Sequence, residues 1–235
     1  MQKNLILLSL ALLALVSCSQ PKSSNESHIY IISTNDMHAN IEAMPRLATL
    51  VKGYEAKGEV LLVDSGDRVT GNAYVDDDAE PGIPMVELMN TIGFDVATLG
   101  NHEFDMGLDT LQARIDDAEF DVVLANVNTG QTALKQPKPY VIKRAGGVKV
   151  GFLGLITNYA NGHPDGDDPI FVGTEFYSPE ATGERYEAEL RDKCDVMVVI
   201  SHCGLDRDTT NVARSFPSAD LIISGHTHER YDGKA

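Results

Sequence analysis

The sequence has no tryptophan, only three cysteines and 6% aromatic residues over its 235 positions. Three cysteines are too few to staple a chain of this length, so a disulfide-built scaffold is excluded. Positive charge is also scarce, because 19 lysines and arginines face 35 aspartates and glutamates, for a net charge of −16. So acidic a chain is not expected to bind a nucleic-acid polymer through its phosphates, but it is compatible with bound metal cations.

The apolar stretch Leu5–Val16 is about a dozen residues long, which is too short to span a bilayer comfortably. It leads into Leu15-Val16-Ser17-Cys18, which resembles the lipobox of bacterial lipoproteins. We predict a lipoprotein signal peptide over 1–17, lipidation of Cys18 and a polar tether over 18–28. The lipid would anchor the chain to a membrane of the bacterial cell envelope, in the periplasm or at the surface. The alternative is an ordinary secretory signal in which Cys18 is incidental.

The other two cysteines, Cys194 and Cys203, flank one apparent strand. Nine residues of strand span roughly 30 Å, whereas a disulfide needs Cα atoms within about 7 Å of each other. We therefore predict that both thiols are free, although the compartment is oxidising. Cys203 is expected to be a small buried apolar residue.

Short β-branched runs alternate with amphipathic stretches over the rest of the chain. Strands are predicted at Ile29–Ser33, Val60–Val63, Val96–Leu99, Val122–Ala125, Val148–Leu155, Val196–Ile200 and Leu221–Ile223. Helices are predicted at Met44–Ala56, Pro84–Ile92, Leu108–Ala118 and Pro179–Lys193, the last with Ser178 as its N-cap. Most of the strands are continuous apolar runs, so the pattern predicts one α/β domain with mostly parallel strands.

Metal-binding side chains follow five of these strands. They are Asp36 and His38 after the first strand, Asp67 after the second, Asn101 after the third, His202 after the sixth, and His226 and His228 after the seventh. Sites in open α/β sheets form at the carboxyl ends of strands, so we expect these residues to meet at one rim. Asp-x-His and His-x-His are expected to place both side chains on one side of an extended strand end. Gly66, Gly100 and Gly225 are expected to let the backbone turn sharply.

Five of the seven histidines lie in these strand-end segments. A single histidine there is more often structural, but carboxylates that converge with so many imidazoles would repel each other without cations. The mixed oxygen and nitrogen ligands suit Zn²⁺, Mn²⁺, Fe²⁺ or Co²⁺. Seven candidate ligands are too many for one tetrahedral ion and suit two ions that share a carboxylate, roughly 3.5–4 Å apart.

The ordered motifs Asp-x-His, Gly-Asp, Gly-Asn-His-Glu, His and Gly-His-x-His resemble those of the calcineurin-like metallophosphoesterase superfamily. Residues 93–105, with Gly-Phe-Asp followed by Gly-Asn-His-Glu-Phe-Asp, are similar more narrowly to the 5′-nucleotidase family. The resemblance extends from Ile29 to His228. It implies that residues 29–235 form a four-layer α/β/β/α metallophosphoesterase sandwich.

The same resemblance implies a role for each motif residue. Asp36, His38 and His228 would bind one metal ion, Asn101, His202 and His226 would bind the second, and Asp67 would bridge both. His102 would not bind metal but would form a pair with Asp105, which orients the imidazole and favours its charged form. A metal-bound water or hydroxide would attack phosphorus, while His102 stabilises the phosphoryl charge or protonates the leaving alkoxide.

We therefore expect a dinuclear-metal phosphohydrolase of the cell envelope, 5′-nucleotidase-like, that hydrolyses nucleotide phosphate monoesters. Two alternatives stay open. One is a cyclic-nucleotide or nucleotide-sugar phosphodiesterase, and the other is a metal-binding half-enzyme that needs a separate substrate-binding protein. A vestigial site on an acidic surface lipoprotein is disfavoured because the ligand set is intact.

The resemblance also indicates what would follow the metal domain. Full-length 5′-nucleotidases carry a C-terminal substrate-binding domain, whereas seven residues follow His228 here. These residues are expected to begin a hairpin at Asp232-Gly233 whose returning strand is missing. We expect a sandwich that lacks its last strands and exposes an edge, which would lower its stability.

Other polar residues near the motifs are expected to be structural. Asp64 should support the turn after its strand, and Glu103 should accept backbone hydrogen bonds. Arg68 should either meet phosphate or form a surface salt bridge. His163 should be a solvated residue of the long loop Thr157–Tyr177, with a weak calcium-like site as the alternative. A loop of this length usually has a function or is mobile.

Overall fold

The structure, a computed structural model, describes residues 28–230 of the chain. The predicted signal peptide, Cys18 and the tether up to Ser27 lie outside the described residues, as does the predicted turn at Asp232-Gly233. Within residues 28–230, the helices are too short or too polar to cross a bilayer.

Over residues 28–230, ten strands form two larger sheets and one small one. The strands are β1 (Ile29–Thr34), β2 (Glu59–Asp64), β3 (Val96–Ala97), β4 (Asp121–Val122), β5 (Val127–Asn128), β6 (Tyr140–Ala145), β7 (Val148–Ile156), β8 (Glu175–Phe176), β9 (Val196–His202) and β10 (Leu221–Ser224). The first sheet is wholly parallel, in the order β1-β2-β3-β4. The second sheet has the order β10-β9-β7-β6, with only β6 antiparallel to its neighbour. Strands β5 and β8 pair antiparallel.

In the described part of the chain, seven α-helical segments connect the strands. They are α1 (Met44–Glu55), α2 (Ala73–Asp76), α3 (Ile83–Ile92), α4 (Leu108–Asp117), α5 (Pro179–Arg191), α6 (Leu205–Arg207) and α7 (Ala213–Ser215). Short 3₁₀ turns cover Ile41–Ala43, His102–Phe104 and Asp168–Phe171, and a π-helical turn covers Asp208–Val212. Ser178 caps α5 as predicted, because its hydroxyl accepts the backbone N–H of Ala181 at 3.2 Å.

The two larger sheets pack face to face. Leu61 and Val63 of the first sheet meet Phe152 and Val198 of the second in one buried cluster. Side chains alternate along a strand, so Leu62 points the other way and packs against α1 and α3. The outer face of the second sheet is covered by α5 and the segment 212–216. The expected α/β/β/α layers are therefore confirmed, and burial on both faces explains the continuous apolar runs.

All seven predicted strands and four predicted helices are present, with some differences at their ends. Strands β3 and β4 end earlier than predicted; beyond them the Thr98 hydroxyl donates to the Val123 carbonyl at 3.0 Å, a side-chain bond in place of a ladder bond. Strand β6 was not predicted, although Gly146 and Gly147, with φ of 55° and 84°, join it to β7 by the two-residue turn that a Gly-Gly pair favours. The short pair β5–β8 and the helical segments of residues 205–215 were also missed.

Candidate metal centre

The predicted ligands converge at the carboxyl ends of β1, β2, β3, β9 and β10. The nitrogen and oxygen atoms of Asp36, His38 and His228 lie within 4.8 Å of one another, and so do those of Asp67, His202 and His226. Asn101 joins the second group, because its Oδ1 lies 3.1 Å from Nδ1 of His226. The structure therefore brings all seven predicted ligands to one rim. His102, predicted to lie outside the ligand set, forms a third such group with His38 and Asp67.

The backbone reaches this rim by a route that differs from the predicted one. The Asp-x-His and His-x-His pairs are not on extended strand ends, because β1 stops at Thr34 and β10 at Ser224. Five of the seven predicted ligands have left-handed backbones, with φ of 47° at Asp36, 43° at His38, 53° at Asp67, 85° at His226 and 55° at His228. Such conformations are strained for residues with a Cβ and persist only where the surroundings impose them. The side chains converge through these turns rather than through the two-residue period of a strand.

The three glycines named from the sequence have different reasons to be glycine. Gly66 has φ of 94° and allows the sharp turn that was predicted. Gly100 and Gly225 are not in that conformation, so the prediction was wrong for them. A Cβ on Gly100 would overlap the carboxylate of Asp67, and one on Gly225 would lie 2.9 Å from Nδ1 of His202. Their role is to let the backbone pass close to these side chains.

Asp67 lies at the centre of the site, where its side chain is almost completely buried. Its Oδ1 accepts the backbone N–H of His102 at 2.9 Å, and its Oδ2 lies 3.0 Å from Nε2 of His202. Burial alone would raise the pKa of the Asp67 carboxyl, but His202 outweighs this and lowers it. The same contact works in reverse on His202, where burial lowers the pKa but Asp67 raises it to about 9. Positive charge is therefore strongly favoured between the two side chains.

The histidine orientations fit divalent cations as the source of that charge. Nε2 of His202 is buried and has no hydrogen-bond partner, although it faces the Asp67 carboxylate. Its Nδ1 lies 2.7 Å from the Ser65 carbonyl, and Nδ1 of His38 lies 3.0 Å from that of Thr70. A carbonyl fixes the proton on Nδ1 and leaves the Nε2 lone pair facing the centre, the usual arrangement of a metal-binding histidine.

The predicted His102–Asp105 pair is formed at the mouth of the site. Nδ1 of His102 lies 2.7 Å from Oδ2 of Asp105. Burial lowers the pKa of His102, but the hydrogen bond to Asp105 and the charge of Asp67 raise it further, so the net shift is upward. The imidazole is therefore favoured in its charged form, with Nε2 left to donate a proton. The pair opens on a cavity of about 290 Å³, lined by His38, Asp67, Asn101, His102, Asp105, Asp165, Gly166, His226 and His228.

Two supporting residues behave as predicted. The Glu103 carboxylate accepts the backbone N–H groups of Asp67 at 2.9 Å, Arg68 at 2.8 Å and Gly100 at 2.6 Å. Asp64 accepts the hydroxyl of Thr34 at 2.8 Å and the N–H of Gly66 at 3.2 Å. These bonds hold the turn that carries Asp67.

Arg68 was predicted wrongly. It is 5% exposed rather than on the surface, and it does not line the cavity at the His102–Asp105 pair. Its Nε donates to Oδ2 of Asp64 at 2.9 Å, and Nη2 donates to the Thr98 carbonyl. The side chain turns inward because the buried carboxylates of Asp64 and Glu103 require a counter-charge.

His163 is also not the solvated residue that was expected. Its side chain is 13% exposed, its ring stacks on Phe171 at 4.5 Å, and its Nε2 lies 3.0 Å from Asp168. The acidic residues of its loop join none of the metal-ligating groups found among residues 28–230. Cys194 and Cys203 are both free, as predicted. Both are also buried, which was expected for Cys203.

Tyr159 and Asp165 reach the site but were not singled out from the sequence. The Tyr159 hydroxyl lies 2.7 Å from Nε2 of His226, and Asp165 lines the cavity. The only available signal was the length of the loop Thr157–Tyr177 that carries them, which identifies a segment but no residue.

The profile of the family described as calcineurin-like phosphoesterase matches residues 29–230. The chain belongs to this family. Within the calcineurin-like phosphoesterases, it is 30% identical to Protein 5NUC of Lutzomyia longipalpis over 246 aligned positions, which cover 92% of this chain and 41% of that protein. It is 29% identical to a 2′,3′-cyclic-nucleotide 2′-phosphodiesterase/3′-nucleotidase of Salmonella typhimurium, with 87% of this chain and 37% of that protein covered.

The fold also matches solved structures. The crystal structure of a 5′-nucleotidase precursor from Thermus thermophilus superimposes with a TM-score of 0.73 and 27% identity, over 84% of this chain and 41% of that one. The chain thus spans about two fifths of the length of these similar proteins.

Proposed function

We propose that this chain carries the dinuclear metal centre of a phosphohydrolase that releases phosphate from nucleotide monoesters. The observation that supports this most is the convergence of seven oxygen and nitrogen ligands beside the His102–Asp105 pair, in a cavity of about 290 Å³. Similarity to a 5′-nucleotidase structure supports nucleotides as the substrate class.

In this proposal two divalent cations, of Zn²⁺, Mn²⁺, Fe²⁺ or Co²⁺, occupy the site. Asp36, His38 and His228 hold one ion, Asn101, His202 and His226 hold the other, and Asp67 binds both. The donor set supports these metals, since carboxylate and imidazole ligands without thiolate suit them. The Asp67 carboxylate and the buried Nε2 of His202 face each other at 3.0 Å, as two ligands of one cation would.

When bound, the cations supply Lewis acidity, which activates water and neutralises the phosphoryl oxygens. Side chains of the protein orient the proton donor and hold the site together. Asp105 holds the His102 ring by its Nδ1 at the edge of the cavity, so Nε2 is the ring nitrogen left to donate a proton. There it stabilises negative charge on the phosphoryl group or gives its proton to the leaving alkoxide. Glu103 and Asp64 accept backbone hydrogen bonds that hold the turn carrying Asp67 in place.

We further propose that the chain is lipid-anchored through Cys18 in the cell envelope and that substrate affinity is completed by a nucleotidase-type substrate-binding domain. The supporting observations are the lipobox-like sequence and the fact that the chain spans about two fifths of its relatives. In the absence of such a domain, we expect the metal-binding residues to bind metal but to turn over nucleotides slowly.

A second candidate activity is hydrolysis of cyclic nucleotides or other phosphodiesters. Similarity to the Salmonella typhimurium phosphodiesterase/3′-nucleotidase favours it. The same ligands and the same proton donor would serve both reactions, so the substrate alone distinguishes them.

The test combines metal content with turnover of the purified chain. Elemental analysis should find about two metals per chain, and phosphate should be released from AMP and p-nitrophenyl phosphate after addition of Mn²⁺ or Zn²⁺. His102→Asn should reduce turnover at least 100-fold, whereas the exposed His28→Asn should not.

Metal without turnover would favour the half-enzyme. Activity on 2′,3′-cyclic AMP alone would favour the second candidate activity. Absence of metal would refute the proposed metal centre.

A further inference from the structure

Tyr159 is the side chain that holds the outer nitrogen of His226. Its hydroxyl lies 2.7 Å from Nε2 of that ring, while Nδ1 on the other side lies 3.1 Å from Oδ1 of Asn101. His38 and His202 are oriented differently, because their outer nitrogens face backbone carbonyls. Of these three rings, only that of His226 depends on the position of another side chain.

Tyr159 is itself fixed by contacts with the second sheet. The Arg207 guanidinium lies over its ring at 4.7 Å. The same Arg207 donates to the Thr157 hydroxyl at 3.1 Å and to the Asn158 carbonyl at 2.6 Å, so it fastens the whole start of the loop. The N–H of Thr157 in turn donates to the carbonyl of His202, at 3.0 Å. The ring is therefore held between α6, which carries Arg207, and the end of β9.

The hydroxyl of Tyr159 can both donate and accept a hydrogen bond. The Asp165 carboxylate lies beside it and can accept its proton in such a bond. Asp165 also lies close to the histidine, with Oδ2 at 4.0 Å from Nε2 of His226. The neutral imidazole can thus donate Nε2–H to the phenolic oxygen, which leaves the Nδ1 lone pair facing Asn101.

We propose that Tyr159 is a positioning residue that commits His226 to the tautomer with a free Nδ1, and so completes the metal position shared with Asn101 and His202. This inference rests on the proposed dinuclear centre. It adds that the position is completed by the loop Thr157–Tyr177, which follows β7 and supplies none of the seven predicted ligands. Asp165 lies beside the hydroxyl, and Arg207 lies over the ring.

The test is a metal titration of the full chain with Zn²⁺ alone, followed by a competing chelator. Tyr159→Phe removes only the hydroxyl, and we expect affinity at one of the two positions to fall about 10- to 100-fold. Affinity at the other position should stay unchanged, because Asp36, His38 and His228 do not contact Tyr159. The matched control is Tyr177→Phe, which removes a hydroxyl bonded at 2.9 Å to Glu175 on the same loop.

A spectroscopic measurement separates positioning from general loosening. With Co²⁺ in place of Zn²⁺, the visible absorption of the ion bound by Asn101, His202 and His226 should change in Tyr159→Phe. In Tyr177→Phe it should stay as in the wild type. Equal Zn²⁺ affinities and equal spectra for wild type and Tyr159→Phe would overturn the inference while leaving the proposed centre intact. A wild-type chain that binds no Zn²⁺ would overturn both, and weaker binding at both positions would show that the hydroxyl acts on the fold instead.

Discussion

At the scale of single residues, three buried charged side chains support the site. Asp64, Arg68 and Glu103 are each no more than 5% exposed, and they lie beneath the turn that carries Asp67. Arg68 lies between the two carboxylates, 2.9 Å from Asp64 and 4.0 Å from Glu103. Buried charges of this kind are costly to separate, because removing one partner leaves the others unpaired.

Glu103→Ala should therefore destabilise the protein by about 3–5 kcal/mol. The carboxylate accepts three backbone N–H groups within 2.9 Å, and all three would lose their acceptor. Urea unfolding of the metal-free chain measures the effect. The exposed Glu119→Ala is the control, expected within about 0.5 kcal/mol of wild type. Equal losses for the two variants would contradict this account of Glu103.

Asp208 should make stability depend on pH. Burial raises the pKa of its carboxyl from 3.8 to about 6, although the hydroxyls of Ser201 and Ser224 donate to it and oppose the shift. An acid whose pKa is higher in the folded state is protonated there while the unfolded chain is already ionised. Stability should consequently fall as pH rises from about 4 to about 6, by up to about 3 kcal/mol.

Asp208→Asn should remove this fall, so its stability relative to wild type should increase over the same pH range. Urea unfolding at several pH values measures the difference, with the exposed Asp206→Asn as control. Parallel profiles for wild type and Asp208→Asn would show that the carboxyl titrates normally.

At the scale of elements, the sequence predicts best where one physical signal is strong. Long apolar runs identified β7 and β9, and the Ser-Pro start identified α5. The 3₁₀ turns and the two-residue strands β5 and β8 have no periodicity to recognise. Arg68 shows a further limit: a charged residue beside a site looks exposed in sequence, and only tertiary contacts reveal the two carboxylates that draw it inward.

The candidate site shows the same division. Motif order indicated which residues meet, and the structure brings all seven together. The left-handed turns at Asp36 and His228 could not be predicted from the order of the motifs, because surrounding contacts impose those conformations and local preference does not. Tyr159 could not be identified as a site residue from the sequence for a related reason. Its contact with His226 joins residues 67 positions apart in the chain.

The loop Thr157–Tyr177 should depend on one aromatic anchor. Phe171 is 4% exposed and its ring lies 5.3 Å from that of Phe104, which belongs to the same 3₁₀ turn as His102. Phe171→Ala should cost about 3–5 kcal/mol and lower the hydrogen-exchange protection of residues 159–171. The neighbouring Val172→Ala, at a side chain 76% exposed, should change neither. Unchanged exchange in Phe171→Ala would show that the loop is held elsewhere.

At the scale of the whole molecule, each half of the chain builds one sheet and supplies part of the site. Residues 29–122 form the first sheet and contribute Asp36, His38, Asp67 and Asn101, and residues 140–224 form the second, which leads to His202, His226 and His228. Both proposed metal positions draw ligands from both halves. Bound ions would consequently fasten the two sheets to each other.

Metal ions should therefore raise the melting temperature. A ligand that binds only the folded state stabilises it by about 2.7 kcal/mol at one hundred times its dissociation constant. Differential scanning calorimetry of the chain with and without Mn²⁺ measures the shift, which EDTA should reverse. Asp67→Asn should lose most of the shift and the exposed Asp77→Asn should keep it. A shift of equal size in both variants would place the stabilising ions elsewhere.

The division of ligands between two contiguous halves has a consequence for engineering. Cutting the chain within residues 129–139, which connect the two larger sheets, would give two fragments that each contain every strand of one of these sheets. Neither fragment alone carries the full ligand set for either position, so tight metal uptake would report reassembly of the fragments. The centre would then work as a sensor in which two independently expressed pieces must meet before a cation is captured.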